Sequence, residues 1–70
     1  MIIDLFGKEI EVLRRDDNWV VFYCGNEGKK RLASDISIPG DIKESELTRY
    51  LADIYHEYST NQNPEVRIIG

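Results

Sequence analysis

The residue types that most often carry chemistry are scarce in this chain, which has one histidine and one cysteine. His56 and Glu57 stand side by side, as at the start of a zinc-protease motif. That motif requires a second histidine four residues after the first, and the residue at that position is Thr60. We therefore expect His56 to lie on the solvated polar face of a helix, beside Asp53. A weak metal or acid–base site of Asp53, His56 and Glu57 is the alternative.

Three consecutive cations follow a glycine-rich turn over residues 25–28: Lys29, Lys30 and Arg31. The turn is not a phosphate-binding P-loop, because only two residues separate its glycines and no Ser or Thr follows the lysines. Together with Trp19 as a stacking surface, the cations would suit single-stranded nucleic acid or a phosphate ligand. The alternative, which we favour, is that they protect an edge strand from pairing with other chains. The formal net charge of −4 also argues against a general duplex-binding protein.

The composition excludes several further classes of protein. A single cysteine, Cys24, cannot form an internal disulfide, and one cysteine with one histidine cannot build a zinc site, so we predict no metal and no cofactor. No apolar run reaches the roughly 20 residues that span a bilayer, and residues 1–4 lack the basic start of a signal peptide. We expect a cytoplasmic protein without membrane contact. Because no catalytic grouping is visible, we also expect a protein that is not an enzyme.

The first half of the chain is typical of antiparallel strands. Residues 2–6 and 9–13 are rich in apolar side chains, and we predict a hairpin with Gly7-Lys8 as a type II′ turn. In that register Asp4 opposes Glu11, a like-charge pair that needs a nearby cation. One face then carries only apolar side chains and is the predicted core face: Ile3, Leu5, Ile10 and Val12.

The third strand, residues 19–24, is apolar on both faces, as a central strand would be. We predict a three-residue loop over residues 16–18 before it, with Asn18 in the left-handed region. This loop length turns one set of side chains towards the core: Val20, Phe22 and Cys24. The opposite face then carries Trp19, Val21 and Tyr23. A two-residue loop would exchange the two sets, because successive strand residues point to opposite faces.

One amphipathic helix is predicted in the second half of the chain. Asp41 and Glu44 have the spacing of a capping box that would start it, and Ser45 is an alternative cap. The polar residues and the proline of 59–64 end it. Its apolar side chains recur at helical spacing and form one stripe: Leu47, Tyr50, Leu51, Ile54, Tyr55 and Tyr58.

A short fourth strand over residues 29–33 and a last strand over 65–69 complete the predicted elements. Between the fourth strand and the helix, a connector over 35–40 is held to the core by Ile36 and Ile38. The predicted fold class is α+β in a single domain that spans all 70 residues. It combines an antiparallel β-meander of three to four strands, one amphipathic helix packed on one face, and a short C-terminal strand.

A single helix covers only one face of such a sheet, so the second apolar face needs an explanation. In one explanation, the connector and the last strand fold over it and small patches stay exposed. In the other, the face binds a partner protein or a second copy of the chain, since exposed apolar patches with Trp and Tyr mark interfaces. Our leading hypothesis is a non-enzymatic protein-binding or self-associating module, with single-stranded nucleic-acid or phosphate binding as the alternative. The predicted partner-binding residues are Phe6, Leu13, Trp19, Val21 and Tyr23.

Several short motifs occur together along the chain. They are Leu5-Phe6-Gly7, residues 19–22, the Gly-Asn-Glu-Gly-Lys sequence of 25–29, Ile38-Pro39, Tyr50-Leu51 and His56-Glu57. In combination, this set resembles a group of short bacterial proteins of unknown function, over nearly the whole chain. The resemblance implies a stand-alone cytoplasmic domain of about this length, with no established activity to carry over to any residue. It draws attention to the 25–29 turn and to His56-Glu57 without giving either a role.

Overall fold

The computed structural model describes residues 1–25 and 28–70; two residues of the predicted glycine-rich turn, Asn26 and Glu27, lie outside them. Within the described ranges, five strands form one antiparallel sheet in the order β4-β3-β2-β1-β5, with one α-helix. The elements in chain order are β1 (Ile2–Leu5), β2 (Lys8–Arg15), β3 (Asn18–Cys24), β4 (Lys30–Leu32), α1 (Leu47–Ile54) and β5 (Val66–Ile68). Short 3-10 turns over Glu44–Glu46 and His56–Tyr58 flank α1.

The hairpin between β1 and β2 keeps the predicted core face but has a different register. Leu5 pairs with Lys8, so the two-residue loop is Phe6-Gly7 and the predicted loop, Gly7-Lys8, is wrong. Both loop residues have positive φ, 51° and 91°, which is the pattern of a type I′ turn. The pairing is displaced by two residues, and a displacement of two leaves the same side chains inward. These core residues are at most 2% exposed: Ile3, Leu5, Ile10 and Val12.

The hairpin between β2 and β3 contradicts the predicted loop and therefore the predicted orientation of β3. Arg15 pairs with Asn18, which leaves a loop of two residues, 16 and 17. Asp16 rather than Asn18 takes the left-handed conformation, with a φ of 55°. A loop one residue shorter moves every side chain of β3 to the other face. The core side therefore carries Trp19, Val21 and Tyr23, whereas Val20, Phe22 and Cys24 point away from it.

Helix α1 packs on the core face of the sheet through the predicted apolar stripe. Leu47 and Leu51 are fully buried, and the tyrosines of the stripe are half-buried against the same core: Tyr50, Tyr55 and Tyr58. Ile54 departs from the prediction, because it is the last residue of α1 and is 51% exposed. The stripe thus holds the helix to one side of the sheet.

The helix starts later than the predicted capping box of Asp41 and Glu44. Lys43 is extended, and its backbone N–H donates a hydrogen bond to the Glu46 carboxylate at 3.2 Å. The indole N–H of Trp19 donates a hydrogen bond to the carbonyl oxygen of Ile42. Because the chain is tied to the sheet at Ile42, helical structure begins only after it.

The connector and β5 leave the second face of the sheet uncovered, so the first explanation for that face is wrong. Ile36 and Ile38 are buried as predicted, but in the same cluster as the helix residues, on the core side. β5 lies beside β1 as an edge strand of the sheet. The predicted α+β class is confirmed, with all five strands in one antiparallel sheet across the described residues. We call the uncovered side of this sheet the open face.

Candidate functional site

The open face consists of the outward-pointing side chains of the strands, and none of those that the structure describes is buried. Its apolar members are Ile2, Leu13, Val20, Phe22, Cys24 and Leu32. Its charged members are Asp4, Glu9, Glu11, Arg15, Lys30 and Arg67. Alternation along each strand fixes this membership, since the buried residues of β1 and β2 occupy the intervening positions.

Apolar side chains form a continuous patch on the part of the open face towards the β2–β3 loop. Leu13 lies opposite Val20, and Phe22 lies opposite Leu32 on the neighbouring strand. Leu32 is 64% exposed and Leu13 is 37% exposed. Directly opposed side chains of neighbouring strands contact one another, so these four residues present one surface. Soluble proteins expose contiguous apolar surface mainly at interaction sites.

The open face carries as many acidic as basic side chains. The Lys30 ammonium forms an ion pair with Glu11, and the Arg67 guanidinium lies 3.6 Å from the Asp4 carboxylate. Arg67 supplies the cation that Asp4 was expected to need, although the residue opposite Asp4 is Glu9 rather than Glu11. A face with equal numbers of acids and bases does not favour a strongly charged partner of either sign.

Cys24 lies on the open face, opposite Lys30 of β4. Partial burial raises the pKa of its thiol, the carboxylates of Glu9 and Glu11 raise it further, and the Lys30 ammonium lowers it. A thiol with a raised pKa stays protonated at neutral pH and is a slow nucleophile. The surroundings of Cys24 therefore suit a small packing residue better than a reactive one.

Four of the five predicted partner-binding residues lie away from the open face. Val21 and Phe6 are buried in the core, and Trp19 and Tyr23 are half-buried against it on the helix side. Their predicted position on the uncovered face is wrong for β3 because the preceding loop has two residues instead of three. Leu13 is the one member of the predicted set that the register places on the open face.

Polar atoms of the two half-buried aromatic residues have partners on the helix side. The Trp19 indole N–H donates to the Ile42 carbonyl oxygen at 2.8 Å. The Tyr23 hydroxyl donates to the Asp35 carboxylate, whose nearer oxygen lies at 2.7 Å. Burial and the adjacent Asp35 carboxylate raise the pKa of Tyr23 to about 12. Both side chains thus fasten the segment between β4 and α1 to the sheet.

The predicted phosphate-binding cations do not converge on one surface. Lys30 points to the open face and is paired with Glu11, whereas Arg31 points to the opposite face. Lys29 lies before β4 and is exposed. Trp19, the predicted stacking surface, lies at the other end of β3 from these residues.

His56 lies in the exposed 3-10 turn that follows α1. Its Nδ1 atom is 3.1 Å from the backbone carbonyl oxygen of Asp53, a local contact at the helix end. Within residues 1–25 and 28–70, no three His, Cys, Asp or Glu side chains are grouped so that they could hold a metal ion. His56 is exposed as predicted, but α1 ends at Ile54, so His56 lies beyond the helix rather than on its polar face.

A groove of about 570 Å³ lies between the end of the sheet and the segment that precedes α1. Arg14 and Trp19 line its sheet side, and Lys43 and Glu44 line the other. The Arg14 guanidinium is already engaged, since it donates a 2.8 Å hydrogen bond to the Gly40 carbonyl oxygen. It also lies over the Trp19 ring, 4.7 Å from the ring centre. The mixed charge of the walls does not select a class of ligand.

The sequence matches a domain of unknown function, DUF7661, over residues 1–70. The chain belongs to this family. Membership agrees with the expectation of a short protein without an assigned activity, and it transfers no role to any residue of the open face or the groove. No curated protein and no solved structure matches the chain. No helix that the structure describes is long and apolar enough to cross a membrane.

Sequence reasoning missed most of the open-face patch, although one signal for it was present. The sequence predicts Val20 and Phe22 on the core side because it favours a three-residue loop before β3, whereas the loop has two residues. The shorter loop is the signal: Asp16-Asp17 is enough to close a two-residue hairpin when Asp takes a positive φ. The predicted fourth strand over residues 29–33 assigns Leu32 to neither face, because its charged and apolar residues do not alternate.

Proposed function

We propose that this protein acts by binding another protein chain through the open face, and that it does not act as an enzyme. The observation that carries the proposal is the apolar patch of Leu13, Val20, Phe22 and Leu32 on a sheet face that no described element covers. Burial of such a patch would contribute roughly 25 cal/mol for each Å² of apolar surface removed from water. The patch therefore offers a source of binding energy on the open face.

The surroundings of the patch support a protein partner rather than nucleic acid. Lys30 and Arg67, two of the three cations on this face, already have carboxylate partners there. Phosphate groups would have to compete with those carboxylates, and binding of nucleic acid is dominated by unopposed cations. A mixed rim around an apolar centre is instead typical of protein–protein interfaces.

Photo-crosslinking in cells that naturally produce the chain tests the proposal. A photoreactive amino acid replaces Leu32, which lies on the open face with 64% exposure. The matched control places the same amino acid at Arg49, which is exposed on α1 on the opposite side of the molecule. We expect a discrete crosslinked product from position 32 and none from position 49, because only the first lies in the proposed interface.

A second variant tests whether formation of the crosslinked product depends on the apolar patch. Leu13→Ser in the chain labelled at position 32 removes apolar surface next to the probe without touching a buried residue. We expect this change to reduce the crosslinked product several-fold. Absence of any product from position 32, or equal products from positions 32 and 49, would rule out the open face as the binding surface.

A further inference from the structure

The outer edge of β4 offers a partner chain hydrogen bonds and opposite charges in addition to the apolar patch. We infer that an extended, acidic segment of a partner protein adds to this edge as a further strand, antiparallel to β4. The inference rests on the proposed function, because the added strand meets the open face at Leu32. It assigns the segment carboxylates opposite Lys29 and Arg31 and an apolar side chain opposite Leu32.

The backbone of β4 directs hydrogen-bonding groups along this edge. The N–H of Ala33 donates a hydrogen bond to the carbonyl oxygen of Val21 on β3. In an antiparallel pair, every second residue of a strand bonds to the same neighbour, so Arg31 also directs its backbone groups to β3. Lys30 and Leu32 then direct their N–H and C=O groups away from β3. An extended segment beside β4 can therefore form main-chain hydrogen bonds with both of these residues.

β4 is also the more accessible of the two edge strands. It is the last strand on its side of the sheet, and among the described strands and helices it contacts β3 alone. β5, at the other edge, contacts α1 as well as β1. Backbone groups at an accessible edge are a ready template for pairing with another chain, so β4 is the edge that favours strand addition.

Three consecutive cations give this edge a positive charge in a chain whose net charge is −4. Lys30 and Arg31 belong to β4, Lys29 directly precedes it, and all three are exposed. Because the Lys30 ammonium forms an ion pair with Glu11, the carboxylates of an added segment would be attracted to Lys29 and Arg31. The charge of the edge thus complements an acidic segment.

An added strand can match these cations although they point to both faces of the sheet. Gly25 donates a hydrogen bond to the carbonyl oxygen of Lys29, which continues the pairing of β3 with β4. By alternation, Lys29 and Arg31 share the helix side, whereas Lys30 and Leu32 point to the open face. The side chains of an added strand alternate in the same way. Carboxylates at every second position would therefore lie opposite Lys29 and Arg31, where opposite charges stabilise strand pairs.

The same cations oppose pairing with a second copy of the chain. Antiparallel pairing of β4 with β4 of another copy over all its residues would put Arg31 opposite Arg31. Like charges that are directly opposed destabilise a strand pair, and such repulsion is a common source of specificity. Protection of the edge, which the sequence predicts for these cations, is thus compatible with binding of an acidic strand.

Titration of the isotope-labelled full chain with a peptide, followed by NMR, tests the inference. The probe is the capped peptide Thr-Val-Glu-Thr-Glu-Val-Thr at low salt, whose glutamates can lie opposite Lys29 and Arg31 with a valine opposite Leu32. We expect saturable shifts of the Lys30 and Leu32 amide signals and a dissociation constant of about 1 mM, as for a short segment with few anchors. Absence of saturable shifts up to about 5 mM, which is well above that constant, would overturn the inference.

Methylated peptides test whether binding occurs by strand addition. The central threonine lies opposite Lys30, so its N–H points to β4 in the antiparallel arrangement. A methyl group on that nitrogen should abolish binding. The control carries the methyl group on the nitrogen of the next glutamate, whose N–H points away, and should bind within about twofold of the probe. Any other order of the two peptides would overturn the antiparallel strand.

Charge reversals test the contribution of the cations. Arg31→Glu should weaken binding of the probe about fivefold, because an attraction becomes a repulsion at an exposed position. Lys29→Glu lies outside β4 and should act in the same direction if the first variant disturbs the strand. Arg49→Glu, exposed on α1, is the matched control and should leave binding unchanged. Affinities at Arg31→Glu and Lys29→Glu equal to that of the control would overturn the acidic partner.

Photo-crosslinking in cells distinguishes failure of this inference from failure of the proposed function. Arg31→Glu in the chain labelled at position 32 should reduce the crosslinked product several-fold, as Leu13→Ser should. A product that Leu13→Ser reduces and Arg31→Glu leaves unchanged overturns the acidic strand but keeps the open face as a binding surface. No product overturns both.

Discussion

The indole N–H of Trp19 donates a 2.8 Å hydrogen bond to the carbonyl oxygen of Ile42, 23 residues further along the chain. This contact joins β3 to the segment before α1 and lies on the covered side of the sheet. Because strand residues alternate, Trp19 on the covered side puts Val20 and Phe22 on the open face. This hydrogen bond therefore shows that Val20 and Phe22, rather than Trp19, are the residues of β3 that are exposed on the open face.

Trp19→Phe should destabilise the fold. The substitution removes the indole donor and leaves the Ile42 carbonyl oxygen without its partner, which costs about 1–2 kcal/mol including lost packing. Urea denaturation followed by circular dichroism measures the change. Arg49→Gln, on the exposed side of α1, is the control and should stay within about 0.5 kcal/mol of the original. Equal midpoints for the two variants would contradict the structural role of Trp19.

Two neighbouring valines offer a test of the orientation of β3. Val21 is 3% exposed, whereas Val20 lies half-buried on the open face. Threonine has almost the same shape as valine, so it adds a hydroxyl with little change in volume. Val21→Thr should cost about 1–3 kcal/mol because the buried hydroxyl loses water, and Val20→Thr should cost much less. If Val20→Thr destabilised the protein more than Val21→Thr, Val20 would be the buried residue, as a three-residue loop predicts.

The raised pKa of Tyr23 predicts a loss of stability in alkaline solution. In the folded state its pKa is about 12, above the ordinary value of 10.0. Deprotonation is therefore easier in the unfolded chain, so the contribution is complete below pH 10 and is lost as the pH rises through 10 to 12. Since water screens this partly exposed group, we expect an effect of about 1 kcal/mol or less.

The Tyr23→Phe variant isolates that contribution. It lacks both the ionisable hydroxyl and the hydrogen bond to Asp35, so the original chain should be the more stable of the two at pH 9. The difference should shrink steadily up to pH 12, when the Tyr23 hydroxyl ionises. Thermal unfolding of both chains across this range measures it. A difference that is independent of pH would show that Tyr23 does not titrate as described.

Gly40 lies too close to the β2–β3 loop for any larger residue. A Cβ atom built on Gly40 would overlap the carbonyl oxygen of Asp17. Gly40→Ala should therefore cost about 2 kcal/mol or more and lower the melting temperature by about 10 °C. Gly28→Ala is the control, since its Cβ atom would meet no described atom within 4 Å, whereas its positive φ alone opposes alanine. Calorimetry should find the smaller loss at Gly28.

The parts of the fold that the sequence predicts correctly are those with a clear period. Ile3, Leu5, Ile10 and Val12 alternate with polar residues, and this pattern survives the two-residue error in register because it repeats every two residues. Leu47 and Leu51 are one helical turn apart and are buried as predicted. In each case the residue types themselves distinguish the buried face from the exposed one.

The amino-acid sequence by itself determines an α+β chain with one helix, a clean core face on the first hairpin, and more apolar surface than one helix can cover. It does not determine which face of β3 is covered, because residues 19–24 are apolar on both sides and carry no alternation. That choice depends on a single residue in the loop before the strand. The tertiary structure decides it, since Val21 completes the core and Trp19 reaches Ile42 only when the loop has two residues.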